Sequence, residues 1–89
     1  MAIANITRVS NAAPPQADDE IDARGLLCPE PLMLVRNRLR GMRSGAVLYV
    51  LATDPSTARD FANLCRFMGH EMVAQCERDG QFSYWIKRA

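Results

Sequence analysis

The chain has 89 residues, 48% of them apolar and 24% charged, and a formal net charge of +1, which describes one small globular domain. A core this small cannot readily enclose a ligand pocket of roughly 300–1,000 Å³, so any chemistry has to sit on the surface or be completed by a partner. The near-zero charge speaks against a nucleic-acid binder, and the longest apolar run, Ala46 to Ala52, is far short of the ~20 residues of a membrane span.

Residues 1–19 read as a disordered N-terminal tail. The stretch Asn11-Ala12-Ala13-Pro14-Pro15-Gln16-Ala17-Asp18-Asp19 is small, polar and proline-containing, without periodicity. The first residues, Met1 to Arg8, lack a basic start followed by an unbroken apolar stretch, so no export signal is expected and the expected location is the cytoplasm. Three cysteines, Cys28, Cys65 and Cys76, are an odd number and read as free thiols of a reducing compartment.

The folded domain is expected over 20–89. Glu20 to Arg24 alternates, with Ile21 and Ala23 on one side, which predicts a half-buried strand. Gly25 permits a turn, and Leu26 and Leu27 are expected to anchor it to the core. Cys28-Pro29-Glu30-Pro31 follows. Leu32, Val35, Leu39 and Met42 then fall on one helical face. A proline disfavours the helical conformation in the residue before it. Cys28 and Glu30 are therefore expected to be extended, with the helix starting near Pro31 as its first residue and stopping around Gly41 to Gly45. Arg36, Arg40 and Arg43 share another face, either simply solvated or a docking stripe for an acidic partner.

Ala46 to Ala52 predicts a central strand. Asp54 and Pro55 suit a helix start, and Thr57-Ala58-Arg59-Asp60 resembles a capping box with Asp in place of Glu. Phe61, Leu64, Cys65 and Met68 mark the apolar face of a second helix, closed by Gly69. The last segment is a hairpin. A three-residue loop, Arg78-Asp79-Gly80, would pair Cys76 with Phe82, Ala74 with Tyr84 and Met72 with Ile86, keeping both apolar rows on one face. Trp85 then falls on the other face.

The order β-α-β-α-β-β, with right-handed crossovers, gives an α/β (α+β) two-layer sandwich: a mixed four-stranded sheet with both helices on one face.

Cys28 is the leading candidate for chemistry. The N-terminal end of a helix carries partial positive charge and unpaired N–H groups, which favour a thiolate. Pro29 and Pro31 are expected to fix the sulfur at that end. Arg24 would help and Glu30 would oppose. Cys65 and Cys76 lie on apolar rows and read as small core residues. His70, after the Gly69 stop, reads as a residue of the helix end. No metal site is expected, since no two cysteines have close ligand spacing, and no cofactor is implied.

The stretch Asp22 to Pro31, with Ala52-Thr53-Asp54-Pro55, Arg59-Asp60, Phe67-Met68 and His70-Glu71, resembles the TusA/SirA-like sulfur-carrier family over nearly all of residues 20–89. The resemblance implies a two-layer sandwich that takes sulfur from a cysteine desulfurase as a persulfide and relays it to an acceptor protein. In the best-known member the route ends in 2-thiolation of wobble uridine in tRNA. The sulfur-bearing cysteine corresponds to Cys28. Arg24, Glu30, Arg36 and Arg40 are the candidate docking residues. Such a carrier is a relay protein and not a self-sufficient enzyme, with no direct nucleic-acid contact and no membrane. Two rival readings are a thiol-based redox or regulatory module at Cys28, and a small RNA-binding domain using the arginine stripe with Trp85 or Tyr84 as a stacking surface.

Overall fold

A computed structural model describes residues 16–89, so most of the expected N-terminal tail, residues 1–15, lies outside the described residues. The elements are β1 (Asp19–Ala23), α1 (Glu30–Arg40), β2 (Val47–Ala52), α2 (Thr57–Met68), β3 (Glu71–Arg78) and β4 (Gln81–Lys87). The strands form one sheet in the order β1-β2-β4-β3. β1 runs parallel to β2, while β4 is antiparallel to both β2 and β3. This is the two-layer arrangement expected from the sequence, with both helices against one face.

The core lies between the layers. Ile21 and Ala23 of β1, Leu48, Val50 and Ala52 of β2, and Tyr84 and Ile86 of β4 point toward the helices, which bury Val35, Leu39, Phe61, Leu64 and Cys65 against them. The period-two and period-3.6 patterns of the sequence are thus two halves of one buried surface. Tyr84 carries its hydroxyl into this core, where it meets Thr57 Oγ1 at 2.8 Å. The pairing satisfies two buried polar groups at once.

The chain becomes regular slightly before Glu20. The N–H of Asp18 donates to the Val47 carbonyl (2.7 Å), and the Asp18 carboxylate accepts from the Val47 N–H (2.8 Å). Asp19 accepts from Arg38 at 2.8 Å, tying β1 to α1.

Three expectations change. α1 begins at Glu30, which is helical and not extended, and Pro31 is its second residue, buried. Any N–H of the first turn lacks an intrahelical acceptor, so proline is tolerated there as well as at the first position. α1 also ends at Arg40, so Arg43 lies beyond the helix and does not extend a stripe with Arg36 and Arg40.

The second change is the start of α2, which is at Thr57 rather than Pro55. The third is the hairpin. Asp79 (φ 53°) and Gly80 (φ 78°) form a two-residue turn flanked by the pair Arg78–Gln81, the geometry whose twist suits adjoining strands. Cys76 therefore faces Ser83, and Ala74 faces Trp85, on the helix-free side. A register shift between Met72 and Ala74 restores the pairing of Met72 with Ile86, and Met72 packs on the core. One extra residue, Val73, reconciles a tight turn with an apolar row that would otherwise face the wrong way.

Candidate functional site

β1 and β2 are parallel neighbours, so their C-terminal ends lie side by side, and the segments that leave them meet. This is the usual position for sites in parallel α/β arrangements. Cys28 comes from the segment after β1, and Asp54, Ser56 and Asp60 come from the segment after β2 and the first turns of α2.

The Cys28 segment is pinned at successive amides. The N–H of Gly25 donates to Thr53 Oγ1 (2.9 Å), and that of Cys28 to Asp54 Oδ2 (2.7 Å). Leu26 N–H reaches the Ala23 carbonyl (3.2 Å) and Glu30 N–H the Leu27 carbonyl (2.9 Å). The turn is thus held by a hydrogen-bond framework. Such a framework presents a sulfur in one place without the entropic cost of ordering it on contact. Leu26 packs on the core, but Leu27 is 71% exposed and does not anchor the turn. Cys28 is an exposed free thiol, while Cys65 is buried. Burial pushes the Cys65 thiol up. Cys76 is half-buried on the sheet face away from the helices.

Asp54 orders the junction. Its Oδ1 accepts the Ser56 N–H (3.0 Å) while Oδ2 takes Cys28, and these bonds hold its carboxyl below the ordinary range. Its carbonyl accepts from both the N–H (3.0 Å) and the hydroxyl (2.7 Å) of Thr57. Replacing Asp54 with alanine removes one acceptor from each of two amides. The amide hydrogens of Cys28 and Ser56 are expected to exchange roughly tenfold faster, as a lost hydrogen bond would give. Unchanged exchange at both would show that Asp54 does not hold the turn. The folded carboxyl is depressed, so this support exists above the ordinary carboxylate range. It is lost as the pH falls through the lower folded value.

The electrostatics at the sulfur run opposite to the expectation from the helix end. A hydrogen bond to the Asp60 carboxylate raises the Cys28 thiol, and partial desolvation and the charges of Asp60 and Asp54 act the same way; the Ser56 hydroxyl alone opposes them. Negative charge near a thiol favours S–H over S⁻. Asp60 is not the capping residue the sequence suggested. α2 starts at Thr57 and has no side-chain cap bond, which makes Asp60 its fourth residue.

Arg24 does not assist the thiol. Its guanidinium forms a fork with Asp22, at 2.9 and 2.7 Å, and this holds the Asp22 carboxyl at about 2. Glu30, Arg36 and Arg40 are exposed on α1. Arg36 borders an open groove of about 740 Å³ between α1 and α2 that also touches Leu32, Asp60, Asn63, Phe67 and Met68. Phe67 is 90% exposed there. Tyr84 is buried, and Trp85 packs against Tyr49 with its ring tilted (4.9 Å between centroids, planes at 43°) on the sheet face opposite the helices. The arginines of α1 and these aromatics therefore do not form one surface, which removes the basis of the RNA-binding reading. His70 Nδ1 accepts the Ala89 N–H at 3.0 Å. Among the described residues, no three of His, Cys, Asp or Glu cluster to hold a metal, and no helix is long and apolar enough to cross a membrane.

A two-layer α/β domain that presents one exposed free thiol, with its backbone amide held at the joint of the two parallel β–α connections, defines a small thiol-bearing protein. The model of the family described as Sulfurtransferase TusA matches residues 19–88, and the chain belongs to this family of sulfur carriers. It is 49% identical over 71 residues to the sulfur carrier protein TusA of Pseudomonas syringae pv. syringae, covering 80% of this chain and 84% of that one. The protein of the same name from Pseudomonas aeruginosa is also 49% identical, with 80% and 90% covered. Among solved structures, a SirA-like protein from Desulfitobacterium hafniense superposes with a TM-score of 0.69 at 25% identity, covering 78% of this chain and 95% of that one.

Proposed function

We propose that this chain accepts sulfur from a cysteine desulfurase as a persulfide on Cys28 and passes it to an acceptor protein with a reactive cysteine, in the cytoplasm and toward 2-thiolation of wobble uridine in tRNA. The observation that carries the reading is the exposed Cys28 thiol, fixed at the joint of the two parallel β–α connections in a chain of the TusA family.

In loading, the Cys28 sulfur attacks the terminal sulfur of the donor's persulfide. A new S–S bond forms at Cys28, the donor's own S–S bond breaks, and its electron pair leaves as a thiolate that takes up the proton. Delivery repeats the exchange with Cys28 as the leaving group. Neither step needs a cofactor, because both partners close over the sulfur and supply the surroundings. Pro29 and Pro31 fix the entry into α1. Glu30, Arg36 and Arg40, with the exposed Leu27 and with Phe67 in the groove, form the docking surface. Arg24 stays with Asp22.

A redox-sensing role has less behind it, since sensor cysteines often stand next to a resolving cysteine, whereas Cys65 is buried and Cys76 lies on the helix-free face of the sheet. The test is relay of labelled sulfur. A desulfurase with labelled cysteine should label this chain, and the isolated labelled chain should pass label to an added acceptor. Sulfur reaching the acceptor equally fast without the chain would overturn the proposal.

A further inference from the structure

Tyr84 and Thr57 place hydroxyl groups in the core. Each residue is 1% exposed, and the two oxygens lie 2.8 Å apart. A core that needs only packing can take phenylalanine and valine in these places, because apolar groups of the same shape leave no polar atom to satisfy. The direction of the bonds shows what the hydroxyls reach. Thr57 Oγ1 lies 2.7 Å from the Asp54 carbonyl, which can only accept. The one hydroxyl proton of Thr57 is spent there, so the Tyr84 hydroxyl donates to Thr57. The bonds therefore run one way, from β4 through the first residue of α2 to the segment that leaves β2.

That segment is the mould of the Cys28 turn. Its Thr53 Oγ1 accepts the Gly25 N–H (2.9 Å), and its Asp54 Oδ2 accepts the Cys28 N–H (2.7 Å). Asp54 Oδ1 takes the Ser56 N–H (3.0 Å). The Asp54 carbonyl is held from behind by Thr57, through its hydroxyl and its N–H (3.0 Å). Resting on the reading of Cys28 as the sulfur-bearing residue, we propose that Tyr84 and Thr57 are positioning residues for sulfur transfer. They lock the Asp54 backbone to the core, and Asp54 passes that order to the Cys28 amide and so to the sulfur. Neither side chain reaches the surface, so the effect is on presentation of the sulfur and not on docking.

The arrangement separates stability from presentation. Removing one hydroxyl strands the other in the core, which costs stability whatever the pair does. Removing both, with apolar side chains of the same shape, leaves nothing stranded and is close to neutral for the fold. It still takes the hydroxyl bond away from the Asp54 carbonyl. The N–H of residue 57 keeps its bond to that carbonyl, so the segment loosens without coming apart. A pair that served only the core would give the reverse, with the core weakened and the Cys28 turn unaffected. Satisfied buried polar groups fix one arrangement of the chain, and here the arrangement fixed is that of the two strand exits.

The test uses the full-length chain with Thr57→Val and Tyr84→Phe combined, and Thr57→Ser as the variant that keeps the hydroxyl. Amide exchange is followed at Cys28 and Ser56 and, for the core, at Leu48 and Val50 of β2. Sulfur uptake is followed at the Cys28 peptide by mass spectrometry over a range of concentrations of a persulfide-loaded cysteine desulfurase. The double variant should exchange roughly tenfold faster at Cys28 and Ser56, as for one lost hydrogen bond, with Leu48 and Val50 changed less than about twofold. Its maximal uptake rate should fall about tenfold, as for a reacting atom held less closely. The half-saturating desulfurase concentration should not change, because the docking surface is intact. Thr57→Ser should keep the parent values of both. Exchange that accelerates equally in the core, a parent-like uptake rate, or a Thr57→Ser variant as slow as the double one overturns the proposal. A double variant that fails to fold shows that the hydroxyls serve the core itself, and also overturns it. Wild-type chain that takes up no sulfur would refute the carrier reading and the uptake role together, while exchange at Cys28 still reports whether the pair orders the turn.

Discussion

Replacing Cys28 with alanine is expected to abolish sulfur uptake, reducing it to the level of a reaction without the chain, while the domain stays folded. The side chain is exposed and contributes little packing. The bonds that shape its segment run through backbone amides, which alanine keeps. The melting temperature should therefore stay within about 3 °C of the parent, as for most surface substitutions. Cys76→Ala, on the helix-free face of the sheet, is the matched control and should load normally. The comparison separates loss of the reacting atom from loss of a cysteine in general. If Cys28→Ala loaded at the parent's rate, another residue would carry the sulfur.

Phe61→Ala has the opposite profile: the reacting sulfur is kept while the fold is lost. Phe61 has no exposed surface and meets Tyr84 edge-on, with ring centroids 4.8 Å apart and planes at 82°. Truncating a buried phenylalanine costs about 3–5 kcal/mol. A domain of this length has roughly 4–10 kcal/mol in all, so the change removes a large part of its stability. Urea titration followed by circular dichroism should show a markedly lower midpoint or an unfolded chain. A drop of less than about 1 kcal/mol would mean that the core collapses easily around the cavity. Tyr84 and Thr57 depend on the same contact, since α2 is held to β4 there. The site would suffer second-hand, because Asp60 and Ser56 sit on the first turns of α2.

Much of this was legible in the sequence because repeating patterns report buried faces directly. Val35 and Leu39 on α1, and Phe61, Leu64 and Cys65 on α2, keep the 3.6-residue period and are buried as the pattern requires. The strand run from Val47 is central, flanked by β1 and β4. The hairpin was misread for a physical reason. An unbroken alternation through Met72, Ala74 and Cys76 was extended to the turn, and a single bulged residue at Val73 leaves no compositional trace. The tight turn at Asp79 and Gly80 was the stronger local signal.

At the site, Cys28 stood out through its prolines, but its chemical environment did not. Asp54 and Asp60 each had a plausible local role at a helix start, and local roles are what a sequence displays. Their approach to Cys28 is tertiary, set by the parallel pairing of β1 with β2, which aligns Ala23 with Ala52 and so brings the following segments together. The topology itself was predictable. Following it one step further, to ask what leaves the neighbouring strand end, is the signal that would have placed Asp54 beside Cys28. The sign of the thiol's shift depended on which side of α2 Asp60 occupies, and a helix start misplaced by two residues hides that.

The central claim is decided by one measurement on the unmodified chain: digestion and mass spectrometry after incubation with a cysteine desulfurase and cysteine. The account predicts one added sulfur atom on the peptide holding Cys28, removable by a thiol reductant, with the Cys65 and Cys76 peptides unchanged. Sulfur spread evenly over all three cysteines, or none on Cys28 while the desulfurase itself is persulfidated, would contradict it.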